Sequence, residues 1–128
     1  MNAIKWGAVA LLGGWGGLAT VRAPAQDAAA GKAAFAQCGV CHAIDASNGV
    51  GPGLAGLIGR KAGTQPGFRF SRSMRAAGFN WDAATLDKYL ADPQALVPGN
   101  VMPFAGVADA RTRADLIAYL QTLPAAKP

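Results

Sequence analysis

The chain has 128 residues, 52% of them hydrophobic, with twelve Lys and Arg against seven acidic residues and a formal net charge of +5. That length suits one domain with a modest core, and two cysteines permit at most one disulfide. The charge excess is too small to argue for nucleic-acid binding, and a single histidine leaves a four-ligand zinc site short of ligands.

The opening stretch MNAIKWGAVALLGGWGGLATVRAPAQ combines Lys5, an uncharged run from Trp6 to Thr20, and small residues Ala23 and Ala25 around Pro24. This is the pattern of a secretory signal peptide with cleavage near Ala25. The glycine-rich run is shorter than the roughly 20 apolar residues a membrane anchor needs. Residues 1–25 are therefore expected to be removed, leaving residues 26–128 as one exported, periplasmic domain. Loss of Lys5 and Arg22 reduces the basic residues to ten and the formal charge to +3.

The first expected helix starts at Asp27, a plausible N-cap, and runs through the alanine-rich AAAGKAAFAQ. A long turn-rich stretch, ASNGVGPGLAGLIGRKAGTQPGF, follows, and SRSMRAAG then adds a turn or two closed by Gly78. The second helix, WDAATLDKYLAD, places Leu86, Tyr89 and Leu90 at i, i+3 and i+4 and stops at Pro93. After the loop DPQALVPGNVMPFAGV comes the third, DARTRADLIAYLQTL, capped by Asp109, striped by Leu116, Tyr119, Leu120 and Leu123, and ended by Pro124. No alternating apolar run is long enough for a sheet, so the fold class is all-α, three main helices plus long loops. Loop backbone must find hydrogen-bond partners and has little core of its own. A large flat apolar cofactor would organise it.

Both cysteines and the only histidine fall within QCGVCHAID. A disulfide between Cys38 and Cys41 would close a tiny loop with little entropic benefit. A thioredoxin-like dithiol expects a βαβ context that is missing. C-x-x-C-H is instead the attachment signature of c-type haem. Residues three apart on a helical turn share a face, so the thiols of Cys38 and Cys41 can both reach the porphyrin vinyl groups while His42 is held against the iron. A second axial ligand must come from elsewhere, and Met74 and Met102 are the methionines of the mature chain. Met102 is favoured, because the Pro- and Gly-punctuated loop VPGNVMPFAG can present it to a haem face, whereas Met74 lies among arginines. A His42/Met102 pair raises the haem potential and suits electron transfer.

The runs CGVCH, GPGLAGLIGRKAG, PGFRF, LDKYLADP, VPGNVMPFAG and RADLIAYLQ make the mature chain resemble class I cytochrome c, the small soluble mitochondrial and bacterial type. The resemblance implies the cytochrome c fold around one haem c. It implies that the Pro52 carbonyl accepts from the His42 ring, that Arg60 and Trp81 hydrogen-bond a haem propionate, and that Tyr89 lies near the Met102 sulfur. Phe104 would sit near the haem edge, and Gly31 and Phe35 would cross the last helix at Leu116 and Tyr119.

Departures from the family pattern are Phe70 in place of a common tyrosine, Met74 in place of an asparagine, and Asn100 in place of a threonine beside the methionine ligand. Gln94, Ala95 and Val101 are neutral where mitochondrial relatives carry haem-edge lysines, while Arg60, Lys61, Arg69, Arg72 and Arg75 concentrate on what the resemblance makes the propionate side. The expected function is a monomeric periplasmic single-electron carrier between membrane or periplasmic redox proteins, with no small-molecule substrate and no enzyme activity. The alternative is a haem peroxidase, or a small-gas or redox sensor, with a labile methionine.

Overall fold

The computed structural model describes residues 26–127, so the signal-peptide expectation for residues 1–25 lies outside the described residues. The chain forms α1 (Ala28–Ala34), continued by a 3-10 turn (Phe35–Gln37), then α2 (Arg72–Ala76), α3 (Ala83–Ala91), α4 (Pro93–Leu96) and α5 (Ala110–Leu120). Among the described residues there is no strand, only one isolated antiparallel bridge between Lys61 and Asn80. None of the described helices is long and apolar enough to cross a membrane.

Each start is built by a side chain that satisfies backbone N–H groups the helix cannot. Asp27 accepts from the N–H of Ala29 and Ala30, Ser71 from Met74, Asp82 from Thr85, and Asp109 from Thr112. Gly78, at φ +77°, follows α2 in the left-handed region, as a helix-ending glycine should. Two expected stops are corrected. Pro93 does not merely end the second helix: α3 already closes at Ala91, and Pro93 opens α4 with Asp92 as its N-cap. A proline lacks the N–H that the first helical position would leave unpaired anyway, so it is as much a start as a stop. The last helix ends at Leu120, before Pro124, and hydrogen-bonded turns carry the chain through Leu123.

The two ends of the domain meet where α1 crosses α5. A Cβ at Gly31 would lie 1.8 Å from the Asp115 carbonyl oxygen, so only glycine permits this approach. Phe35 packs on Tyr119 with ring centroids 5.4 Å apart. The Asp27 N–H donates to Oδ1 of buried Asp115 at 2.8 Å, and Arg111 Nε donates to the same carboxylate. Leu116, Ile117 and Leu120 turn inward from α5 to meet Leu86, Tyr89 and Leu90 of α3 in one core. Burying each such aliphatic side chain contributes roughly 1.5–3 kcal/mol.

Two devices fix the loops over this frame. Arg113 of α5 donates from Nε to Asp87 of α3 at 2.7 Å and from Nη1 to the Val107 and Ala108 carbonyls, both at 2.9 Å. The chain is thereby pinned as it returns from the Met102 loop. The long middle loop is closed by backbone pairing: Gly59 N–H to Trp81 O, Trp81 N–H to Arg60 O, and Ala62 N–H to Phe79 O, at 2.7–2.9 Å. Arg60 and Trp81 thus become neighbours although twenty-one residues separate them in sequence.

Candidate functional site

The helices and loops enclose a cavity of about 390 Å³ whose wall is largely apolar, including Phe35, Leu54, Leu57, Phe68, Phe70, Leu86, Leu90, Leu116 and Leu120. All ten residues that the sequence singles out for the site border it: Cys38, Cys41, His42, Pro52, Arg60, Trp81, Tyr89, Asn100, Met102 and Phe104.

Cys38 and Cys41 sit on helical turns that extend the 3-10 segment, with the Cys38 N–H on Phe35 O and both Cys41 and His42 N–H groups on Cys38 O. That winding puts both sulfurs and the imidazole on one side, as the three-residue spacing requires. No disulfide joins the two cysteines. Burial, and then the neighbouring Cys41, push the Cys38 thiol above its ordinary range.

His42 is oriented by its surroundings. Nδ1 lies 2.9 Å from the Pro52 carbonyl, and because a carbonyl only accepts, Nδ1 carries the proton and Nε2 keeps its lone pair for a ligand role. The ring lies against backbone at Gly51, where a Cβ would come within 2.6 Å of Cε1. Any other residue there would push the imidazole out of place.

Met102 is held from both ends. Its N–H donates to Asn100 Oδ1 at 3.0 Å, its carbonyl accepts from the Phe104 N–H at 2.9 Å, and the Tyr89 hydroxyl reaches its sulfur at 3.9 Å. Burial pushes the Tyr89 phenol up to about 12, so it stays a donor throughout the physiological range. Asn100 is 7% exposed, and its Nδ2 donates to the Pro93 and Val97 carbonyls while its Oδ1 serves Met102. Its side chain is therefore committed to bracing the methionine loop. Gln94 adds a second brace, donating to Asn100 O and accepting from the Gly99 N–H.

Met74, set aside on sequence as one residue among arginines, also borders the cavity, as the one buried residue of α2. The same segment contributes Phe68, Phe70 and Ser71 to the wall, while Arg69, Arg72 and Arg75 are exposed between and beside them. Trp81 is buried, stacked edge-on between Phe79 and Tyr89 at 4.9 and 5.0 Å. Arg60 uses three donors on neighbours: Nη1 to Ala55 O and Gln65 Oε1, Nη2 to Gly53 O. Its guanidinium has five, so two remain. Sequence reasoning missed Gln65, Gln94 and the steric role of Gly51. Of these only Gly51 carries a signal, since it opens the GPG run that positions Pro52.

The donor set tests whether a haem fits. Two thiols on one helical face, an imidazole with Nε2 free, a thioether in a braced loop, and an arginine with spare donors border one apolar cavity, and these groups match its vinyl, iron and carboxylate parts. Val50 and Val101 border the same cavity yet are 76% and 69% exposed, so its rim opens to solvent there.

Comparison with known proteins agrees. The family model described as Cytochrome c matches residues 28–124. The chain is 53% identical over 91 residues to cytochrome c2 iso-2 of Magnetospirillum fulvum, a match covering 70% of this chain and 95% of that protein. It is 47% identical over 100 residues to cytochrome c2 of Rhodomicrobium vannielii, covering 77% and 80% respectively. The solved structure of cytochrome cH from Methylobacterium extorquens superposes with a TM-score of 0.73 at 48% identity, covering 75% of this chain and 98% of that one. A match across nearly the whole described domain, with relatives about half identical, places the chain in the cytochrome c family, as a class I c-type cytochrome whose cofactor is one covalent haem c.

Proposed function

We propose that the protein is a periplasmic single-electron carrier, a monomer that moves electrons between membrane or periplasmic redox proteins through one haem c ligated by His42 and Met102. The observation that carries this reading is the convergence of the Cys38–Cys41–His42 turn and the braced Met102 on one apolar cavity. When bound, the haem supplies an iron that alternates between Fe(III) and Fe(II). The chain's own residues keep that change free of rearrangement. Pro52 holds the imidazole in one tautomer, which tunes its donor strength. Asn100 and Tyr89 hold Met102 in place, and the apolar wall keeps water from the liganding atoms. The rim at Val50 and Val101 is the side from which a redox partner can approach closely. Export is supported by the leader pattern of residues 1–25.

Visible and near-infrared spectra of the haem-loaded protein, oxidised and reduced, test the reading in wild type and Met102→Ala. Low-spin haem with a weak sulfur-to-iron band that vanishes in the variant is expected. High-spin iron in the wild type, or a band surviving without Met102, would replace it with an open or Met74-filled site, and with the peroxidase or sensor alternative. The intact mass of the exported protein, expected to correspond to a chain starting just after Ala25, tests cleavage.

A further inference from the structure

Gln65 belongs to no motif that the sequence reading used, yet it is only 5% exposed. Its amide joins two segments of the middle loop: Nε2 donates to Ala46 O at 3.0 Å, and Oε1 accepts a short hydrogen bond from Arg60 Nη1. Arg60 is otherwise held only by the Ala55 and Gly53 carbonyls, at 2.9 and 3.2 Å. All three acceptors are neutral, and neither ion pair among the described residues involves Arg60. The guanidinium therefore keeps its whole charge at the cavity wall, with the Nε–H and one Nη2–H still to give.

Glutamine is the residue type this bridge needs. Its amide donates to Ala46 from one end and accepts from Arg60 at the other, without adding a charge. A glutamate could accept but not donate, and would cancel the arginine's charge. An aliphatic residue could do neither, and a long side chain freed of its acceptor would regain its rotamers.

We propose that Gln65 is a positioning residue that fixes the Arg60 charge against the haem cavity and thereby sets how easily the bound haem is reduced. The inference rests on the family's haem and on the carrier reading given above. A fixed positive charge beside the cavity disfavours the additional positive charge of the oxidised iron. Holding Arg60 in place raises the potential, and releasing or neutralising it lowers the potential.

The test is a set of midpoint titrations on the haem-loaded protein, using small redox mediators. Gln65→Leu is expected to lower the midpoint, and that shift is expected to disappear when the same change is made in an Arg60→Leu background. This is the signature of a residue acting through its partner. An equal shift in both backgrounds, or a change in unfolding midpoint with no change in potential, overturns the proposal. Should Gln65→Leu fail to fold, Gln65→Glu retains the contact to Arg60. Its midpoint is expected to fall, more so once the new carboxylate ionises, and a midpoint that does not fall overturns the proposal as well. Because the readout needs neither a partner nor the Met102 ligand, a failed carrier reading would show in the spectra and leave this coupling measurable.

Discussion

The Tyr89 hydroxyl directs a hydrogen bond to the Met102 sulfur, 3.9 Å away and thirteen residues along the chain. A donor on the sulfur withdraws electron density that would otherwise favour Fe(III). Tyr89→Phe is therefore expected to lower the haem potential. A hydrogen bond of about 1 kcal/mol corresponds to on the order of 40 mV for a one-electron couple. An unchanged or raised midpoint in cyclic voltammetry would show that the contact does not tune the ligand.

Asn100 serves three backbone groups at once. Asn100→Ala leaves the Met102 N–H without its acceptor, which costs roughly 1–3 kcal/mol for an orphaned group, while the Pro93 and Val97 carbonyls lose one donor but keep the backbone N–H groups of Val97 and residue 100. The methionine loop should open more often, and imidazole added to the ferric protein should displace the native ligand several-fold faster. Displacement at the wild-type rate, followed by stopped flow, would mean that Gln94 and Tyr89 suffice to hold Met102.

At Gly31 two tendencies conflict. Alanine favours a helix by about 1 kcal/mol over glycine, but its Cβ would lie 1.8 Å from the Asp115 carbonyl oxygen and 2.9 Å from the Tyr119 Cβ. The clash should win, because backbone cannot yield as a flexible side chain can. Gly31→Ala is expected to destabilise the fold by about 1–3 kcal/mol, and urea denaturation that finds it as stable as wild type would contradict the close crossing of α1 and α5.

Three exposed carboxyls lie below the ordinary carboxylate range because of hydrogen bonds to their ionised forms. The Ser47 N–H holds Asp45 down, the Thr85 N–H holds Asp82 down, and the Thr112 hydroxyl and then its N–H do so for Asp109. A depressed folded-state pKa contributes stability above the unfolded value of about 3.9, lost as pH falls through the folded values. The stability gap between wild type and Asp82→Ala should be full at neutral pH and close in acid. A gap that stays constant into strong acid would assign it to something other than the ionised cap.

What could be read from sequence follows from how local each requirement is. Attachment needs two thiols and an imidazole on adjacent helical turns, so Cys38, Cys41 and His42 had to be near neighbours in sequence. Pro52 and Tyr89 are distant from that turn, and only the family's register relates them to it, whereas Met102 is reached from the lack of a second histidine and from its Pro- and Gly-punctuated loop. Two of the braces were illegible for another reason. Gln65, in a loop, and Gln94, in α4, are amides, and whether such a residue is solvated or buried depends on where the surrounding backbone groups end up. Pro93 was ambiguous in kind, since the same missing N–H both ends one helix and begins the next.

The bond from the Asp27 N–H to Asp115 spans 88 residues, and it has a consequence for the order of assembly. The first helix cannot dock until the last has emerged, so the domain closes only when the whole chain is present. Closing so long a loop is slow compared with winding a single helix. Until then the turn carrying Cys38 and Cys41, which follows directly on α1, has no finished wall around it. The contact that joins the two ends therefore also completes the wall beside the cysteine turn, since Leu116 and Leu120 of α5 border the same cavity.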